Sequence, residues 1–224
     1  MPGADACRVF WGDRMDLARR RDLLDPTEVT RVNRASNTED RTRQIAGAAL
    51  LRLAAGRLTN IDPTMICVDR TCDTCGRPHG RPRLIGTDLH ASISHSGDRI
   101  AVALTRAGPV GVDVERISPI DLAELASGVL GCAEQANSTT DFFVYWVRKE
   151  SVVKATGDGV VVALERVSVS RPSEPPMLLG YPDRAPLAAA ITDLHPGGDY
   201  VAAVTVLATG PIVVTEQPWA SMVD

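Results

Sequence analysis

Lysine is almost absent from this chain. Of 24 basic residues only Lys149 and Lys154 are lysine, and both fall within residues 146–154. Every other strongly basic position is arginine, so the pair points to a need for a compact ammonium, which meets a phosphate oxygen or a reacting hydroxyl as a point charge where a planar guanidinium does not. Long apolar runs are absent too. No stretch reaches the roughly 20 residues that span a bilayer, and the N-terminal segment around Arg8, Asp13 and Arg14 has no signal-peptide core, so a cytoplasmic protein without a membrane partner is expected. Cysteine is sparse and odd in number, five residues, which argues against a disulfide framework. Only Cys72 and Cys75 have metal or redox spacing. With His79 they supply three ligands of the zinc type, but no second CxxC follows. A lone pair in a loop rich in arginine, proline and glycine is read first as inert, with a zinc or redox site as the alternative.

What is present suits a globular protein. The chain has 224 residues, 44% of them hydrophobic, enough for one large domain or two tightly joined small ones. The net charge of -4 hides an asymmetry: residues 1–106 carry a net +4 and residues 107–224 a net -8. A basic half beside an acidic half suits a ligand with several phosphates, some met by arginine and some through a metal; nucleic acid is not an expected partner.

Helix formers with early acids predict a helix from about Thr38 to Gly56, with Gly56 as the stop, and a second over residues 140–156 ending at Gly157. A short strand is expected at Met65–Val68, a hairpin across residues 91–105, and an alternating strand from Leu164 to Ser170. The hairpin sequence His95 to Thr105 is echoed by His195 to Thr205 with one inserted residue. The simplest architecture that explains the echo is α+β with two related halves, residues 1–106 and 107–209, and a site where they meet. The tail from Gly210, with Pro211 and Pro218, is expected to pack loosely or not at all.

Gly111-Val-Asp113-Val-Glu115 reads as a strand that turns Val110, Val112 and Val114 one way and two carboxylates the other. Along a strand those acids are roughly 7 Å apart, near enough to share one hard cation, and Glu150 is a third candidate ligand. On the second helix Glu150 and Lys154 share a face, while Lys149 points about 100° away. Each motif alone also reads as something plainer, a solvated edge strand or an exposed helical ion pair. Together the three acids describe a magnesium site with positions left for water and a diphosphate.

The combination resembles the Sfp-type 4′-phosphopantetheinyl transferases. Their pattern Gly-x-Asp-x-Glu followed by Trp-x-x-Lys-Glu-x-x-x-Lys stands here as Gly111 to Glu115 and Trp146 to Lys154. The likeness extends to Gly80-Arg81-Pro82, to Ile93-Ser94-His95-Ser96 and to Asp40 to Arg43, and covers roughly residues 8 to 207. It implies two pseudo-twofold-related halves around a coenzyme A cleft, and transfer of the phosphopantetheine arm to a serine of an apo acyl or peptidyl carrier protein. Such transfer serves polyketide, nonribosomal peptide or fatty acid synthesis. It also implies roles. Asp113, Glu115 and Glu150 would hold Mg²⁺, with Glu134 as the nearest match to a further acid. Glu150 would also be a candidate base, and Lys154 and Lys149 would stabilise phosphate charge. Arg31, Arg43, Arg81, Ser94 and His95 would contact coenzyme A, and Trp146 would anchor its helix by packing. Glu28 stands where some relatives carry a basic residue and is expected to repel a phosphate. The basic half, Arg19 to Arg21 included, is the expected contact for acidic carriers, and one chain with both halves suffices as a monomer. The competing readings are a binding module without turnover and a metal-dependent phosphohydrolase.

Overall fold

The computed structural model describes residues 6–73, 75–184 and 186–222; residues 1–5 and Thr74 of the CxxC run lie outside the described residues. The chain opens with β1 (Ala6–Asp13), α1 (Arg14–Leu17), α2 (Pro26–Asn33) and α3 (Thr38–Thr59). Next come β2 (Cys67–Asp69), β3 (Arg83–Ile85), β4 (His90–Ser96), β5 (Arg99–Thr105), β6 (Val110–Arg116) and the short α4 (Leu122–Leu125). After α5 (Thr139–Thr156) follow β7 (Ser168–Val169), β8 (Leu178–Gly180), β9 (Ala190–Leu194), β10 (Tyr200–Val206) and β11 (Val213–Pro218). The fold is mixed α+β. No helix among the described residues is long and apolar enough to cross a membrane.

The strands form a six-stranded sheet in the order β11-β1-β5-β4-β3-β2, a three-stranded sheet β6-β10-β9 and a small β7-β8 pair. Period-two alternation assigns the faces of the large sheet. Phe10, Ile100, Val102 and Leu104 pack against Ala46, Leu50, Leu51 and Ala54 of α3. The intervening Val9, Ala101 and Ala103 pack against Val112, Val114, Ala202 and Val204 of the second sheet. Tyr145, Val152 and Val153 of α5 form a further cluster with Val167, Val169 and Ile191. The layers therefore run helix, sheet, sheet, helix. Small alanines on β5 let the sheets approach closely.

Both long helices begin on side-chain caps, Asn37 accepting from the Asp40 amide and Ser138 from the Asp141 amide. Gly157 ends α5 in the left-handed region. Gly56 does not end α3: the helix runs three residues further to Thr59, and Asn60 takes the left-handed cap. Gly56 is wanted for space instead, since a Cβ there would lie 2.7 Å from the Ile61 carbonyl oxygen.

Three other expectations are corrected. Leu164–Arg166 is a 3-10 turn, which leaves only Ser168–Val169 as strand. The early strand begins at Cys67, after a 3-10 turn over Pro63–Met65. The segment after Gly210 is not loose: β11 pairs in parallel with β1 along the sheet edge, and Glu216 accepts from the Trp11 indole N–H at 2.8 Å. The prolines cost nothing there because Pro211 precedes the strand and Pro218 ends it.

Gly111 is the tightest point of the α5 packing. A Cβ on it would lie 2.0 Å from the Ser151 carbonyl oxygen and 2.5 Å from the Ala155 nitrogen. Both are backbone atoms and cannot rotate away. Gly111→Ala is expected to lower unfolding free energy by about 3 kcal/mol or more, measured by urea titration. A loss within experimental error would show that α5 can lift off β6 freely.

Candidate active site

The site lies on the seam between β4 and β6. β6 is an edge strand of the small sheet, and its outward amides would be unpaired there. Three serines at period-two spacing on β4 supply the partners: Ser92 Oγ accepts from Val112 N (3.0 Å), Ser94 Oγ from Val114 N (3.3 Å) and Ser96 Oγ from Arg116 N (3.0 Å). The same hydroxyls donate in the other direction. Ser94 reaches Asp113 Oδ1 at 2.8 Å, and Ser96 reaches Glu115 Oε2 at 2.7 Å. The register that closes the seam thus also aims two carboxylates into one cleft.

Asp113, Glu115, Glu150, Lys154, Trp146, His95, Ser94 and Ile93 line this cleft, of about 310 Å³. Lys154 Nζ, from α5, donates to Asp113 Oδ1 (2.6 Å), Ser94 Oγ (3.0 Å) and the Val112 carbonyl (3.2 Å). Three acceptors around one point suit an ammonium and not a planar fork, which accounts physically for lysine at this position. Burial, with Asp113 adding repulsion, pushes the Glu115 carboxyl up to about 7. Glu150 is raised for the same two reasons. Loss of solvation, then the nearby Lys154 and Arg43 charges, lower the His95 imidazole.

The donor set fits a hard divalent cation, three carboxylates with one oxygen, Asp113 Oδ2, buried and without a hydrogen-bond partner. Among the described residues only Cys72, Cys75 and His79 bring three ligand atoms within 4.8 Å of one another. A cation shared by the three acids therefore requires a rotamer change of the longer glutamates.

The cleft continues. A smaller pocket shares Ile93 and His95 with it and is lined further by Arg31, Arg70 and Gln44. Arg31 and Arg70 also border an outer pocket of about 280 Å³ with Thr27, Val68 and Pro78. Burial, reinforced by Arg31, lowers the Arg70 guanidinium to about 10. Arg31 is lowered by burial too, and its Nε has no partner. Two desolvated guanidiniums thus lie side by side, with Glu28 and Asp69 also lining the outer pocket. Arg70 escaped sequence reading. It precedes the Cys72 loop in a chain full of arginine, and only the fold brings it beside Arg31.

The remaining candidates divide. Arg81 Nη1 donates to the Ala155 carbonyl at 2.9 Å, next to Lys154. Arg43 is engaged by Glu39, Asp40 and the Gly97 carbonyl, each at 3.0 to 3.1 Å. The Ser94 hydroxyl lines the cleft and donates its proton to Asp113, so it orients an acid there. Lys149 and Glu134 do not reach the cleft. The Lys149 side chain is fully buried, its Nζ donating to Glu134 and to the carbonyls of Val129 and Leu164. Glu134 also accepts from the amides of Gly131 and Val169. The one-residue step of about 100° that separates Lys149 from Glu150 on the helix turns it away from the cleft. Glu28 is likewise paired. Buried Arg52 donates to it at 2.9 Å and it closes a capping box with Asp25, but it still lines the outer pocket and its charge acts on Arg31 and Arg70.

A family model described as the 4′-phosphopantetheinyl transferase superfamily matches residues 109–205. The 4′-phosphopantetheinyl transferase HetI of Nostoc is 30% identical over 197 residues, 84% of this chain and 80% of HetI. The chain belongs to the 4′-phosphopantetheinyl transferase superfamily. Sfp of Bacillus subtilis, another member, is 26% identical over 185 residues, 78% of this chain and 79% of Sfp. In this phosphopantetheinyl transferase-like chain the model match contains Asp113, Glu115, Glu150 and Lys154, whereas His95, Arg31 and Arg70 lie outside it.

The Lys149–Glu134 pair is expected to be structural. Lys149→Met strands a buried carboxylate and should cost about 3–5 kcal/mol in urea unfolding, most of it recovered by adding Glu134→Gln. A variant of native stability that has lost activity would return Lys149 to the chemistry.

Proposed function

We propose that this protein transfers the 4′-phosphopantetheine arm of coenzyme A to a serine of an apo acyl or peptidyl carrier protein, releasing adenosine 3′,5′-bisphosphate, with Mg²⁺ required. The observation that carries the reading is the meeting of Asp113, Glu115, Glu150, Lys154 and His95 in one cleft that runs on to Arg31 and Arg70. Acids at one end and paired arginines at the other match a ligand with a diphosphate and a separate phosphate.

Asp113, Glu115 and Glu150 would hold the Mg²⁺, which when bound polarises the phosphate under attack and offsets charge on the leaving group. The carrier serine oxygen forms a new ester bond to the phosphorus that bears the pantetheine. The bond from that phosphorus to the bridging oxygen breaks, and the bisphosphate departs with the electron pair. Glu150, raised by burial and by Asp113, takes the serine proton. Lys154 moves its ammonium from Asp113 toward the developing phosphate charge, and His95 donates to a phosphate oxygen. Arg31 and Arg70 receive the 3′-phosphate, while Arg81 stands beside Lys154 at the end of α5. Arg43 needs release from Asp40 and Glu39 before it can contribute.

The repeated element order supports two related halves around a coenzyme A cleft. A long helix, a short strand pair and a hairpin occur as α3, β2, β3, β4 and β5, and again as α5, β7, β8, β9 and β10. β5 lies between β1 and β4 as β10 lies between β6 and β9. We read a cytoplasmic monomer, with polyketide, nonribosomal peptide or fatty acid carriers as partners.

Intact-protein mass spectrometry of apo carriers incubated with the protein, coenzyme A and Mg²⁺ tests the reading. One phosphopantetheine adduct per carrier is expected, lost with EDTA and reduced at least about a hundredfold in rate by Glu150→Gln. No adduct across acyl and peptidyl carriers, with coenzyme A still bound, would contradict it.

A further inference from the structure

Residues 71–80, between β2 and β3, offer little apolar surface to bury beyond Pro78. All of their described side chains are exposed or half-exposed, cysteines included. The loop is nonetheless folded back on itself. Cys72 N donates to the Arg77 carbonyl (2.9 Å), Gly76 N to the Cys72 carbonyl (2.9 Å) and Gly80 N to the Arg70 carbonyl (2.7 Å). Gly76 takes a positive φ of 71°, which turns the chain tightly just after Cys75. The fold-back brings the ligand atoms of Cys72, Cys75 and His79 within 4.8 Å of one another, with Cys75 Sγ 2.9 Å from His79 Nε2. Ordering a polar segment of this length carries a large entropic cost, and little hydrophobic burial is present to offset it.

We propose that Cys72, Cys75 and His79 form a zinc site that fixes the β2–β3 connection as the outer wall of the Arg31–Arg70 groove. Two thiolates and an imidazole are the soft and borderline ligands that select Zn²⁺, and a tetrahedral ion with bonds of about 2.0–2.3 Å fits among atoms this close. Binding releases both thiol protons to solvent, and the two thiolates neutralise the metal charge. Water completes the fourth position. The site has a mechanical consequence because the loop carries wall residues: Arg70, Thr71 and Pro78 line the outer pocket, and Gly80 is wedged against the Arg70 and Thr71 carbonyls, where a Cβ would lie 3.0 Å and 2.7 Å away. Zinc that closes the loop therefore holds Arg70 beside Arg31. The metal site stands independently of the transferase reading; only its effect on coenzyme A affinity rests on that reading.

The test uses the full chain, purified under reducing conditions, exposed to Zn²⁺, dialysed, and measured for metal by mass spectrometry. About one zinc per chain is expected for the wild type and for Cys132→Ser, and at most about a tenth of that for the double variant Cys72→Ser/Cys75→Ser. Co²⁺ in place of zinc should give a thiolate-to-cobalt charge-transfer band, present in the wild type and absent from the double variant. Substoichiometric zinc in the wild type, or full retention by the double variant, overturns the site whether or not the protein transfers phosphopantetheine. With the site established, the metal-free double variant should show a KM for coenzyme A raised about three- to tenfold with kcat nearly unchanged. An unchanged KM overturns the role as groove wall.

Discussion

The structure depends on the serine ladder that joins β4 to β6. An edge strand packed into the interior would leave a row of amides without partners, each costing about 1–3 kcal/mol. Ser92, Ser94 and Ser96 satisfy three of them, and the hydroxyl geometry leaves one proton on each oxygen to donate elsewhere. For Ser94 and Ser96 that proton goes to Asp113 and Glu115. The interaction that seals the two sheets is therefore the one that orients the acids. Lys154 completes the arrangement from α5, held close to β6 by the missing Cβ of Gly111.

The electrostatics follow from this placement. Three carboxylates face one cleft with one ammonium among them, so burial and mutual repulsion raise Glu115 and Glu150. Two arginines at the far end are depressed by burial in turn. Carboxylates crowd one end of the groove and guanidiniums the other. The basic and acidic halves of the chain thus meet along one groove.

Much of this was legible from residue pattern. The alternation of Val110, Val112 and Val114 against Asp113 and Glu115 and the scarcity of lysine pointed to the cleft, and Gly157 marked the end of α5. What the pattern could not give was partnership. Lys149 and Glu134 look like functional groups in one dimension, yet they satisfy each other in the interior. Glu28 reads as a bare repulsive charge, and the fold adds what the pattern could not show, a buried ion pair with Arg52, 24 residues away. Ser94 reads as a ligand contact, and only the fold adds its hydrogen bond to Asp113. Arg70 was hidden by the abundance of arginine. β11 was missed because a parallel partner more than 200 residues away leaves no local signal beyond its own short alternation.

The account rests most directly on Ser94, and the decisive measurement is Mn²⁺ binding by electron paramagnetic resonance to the wild type and to Ser94→Ala, with circular dichroism confirming the fold. Loss of the hydroxyl should leave Asp113 oriented by Lys154 alone and weaken metal affinity about 10- to 100-fold, the usual effect of removing a partner that orients a ligand. Unchanged affinity in a folded Ser94→Ala protein would contradict the claim that the seam between the sheets builds the site.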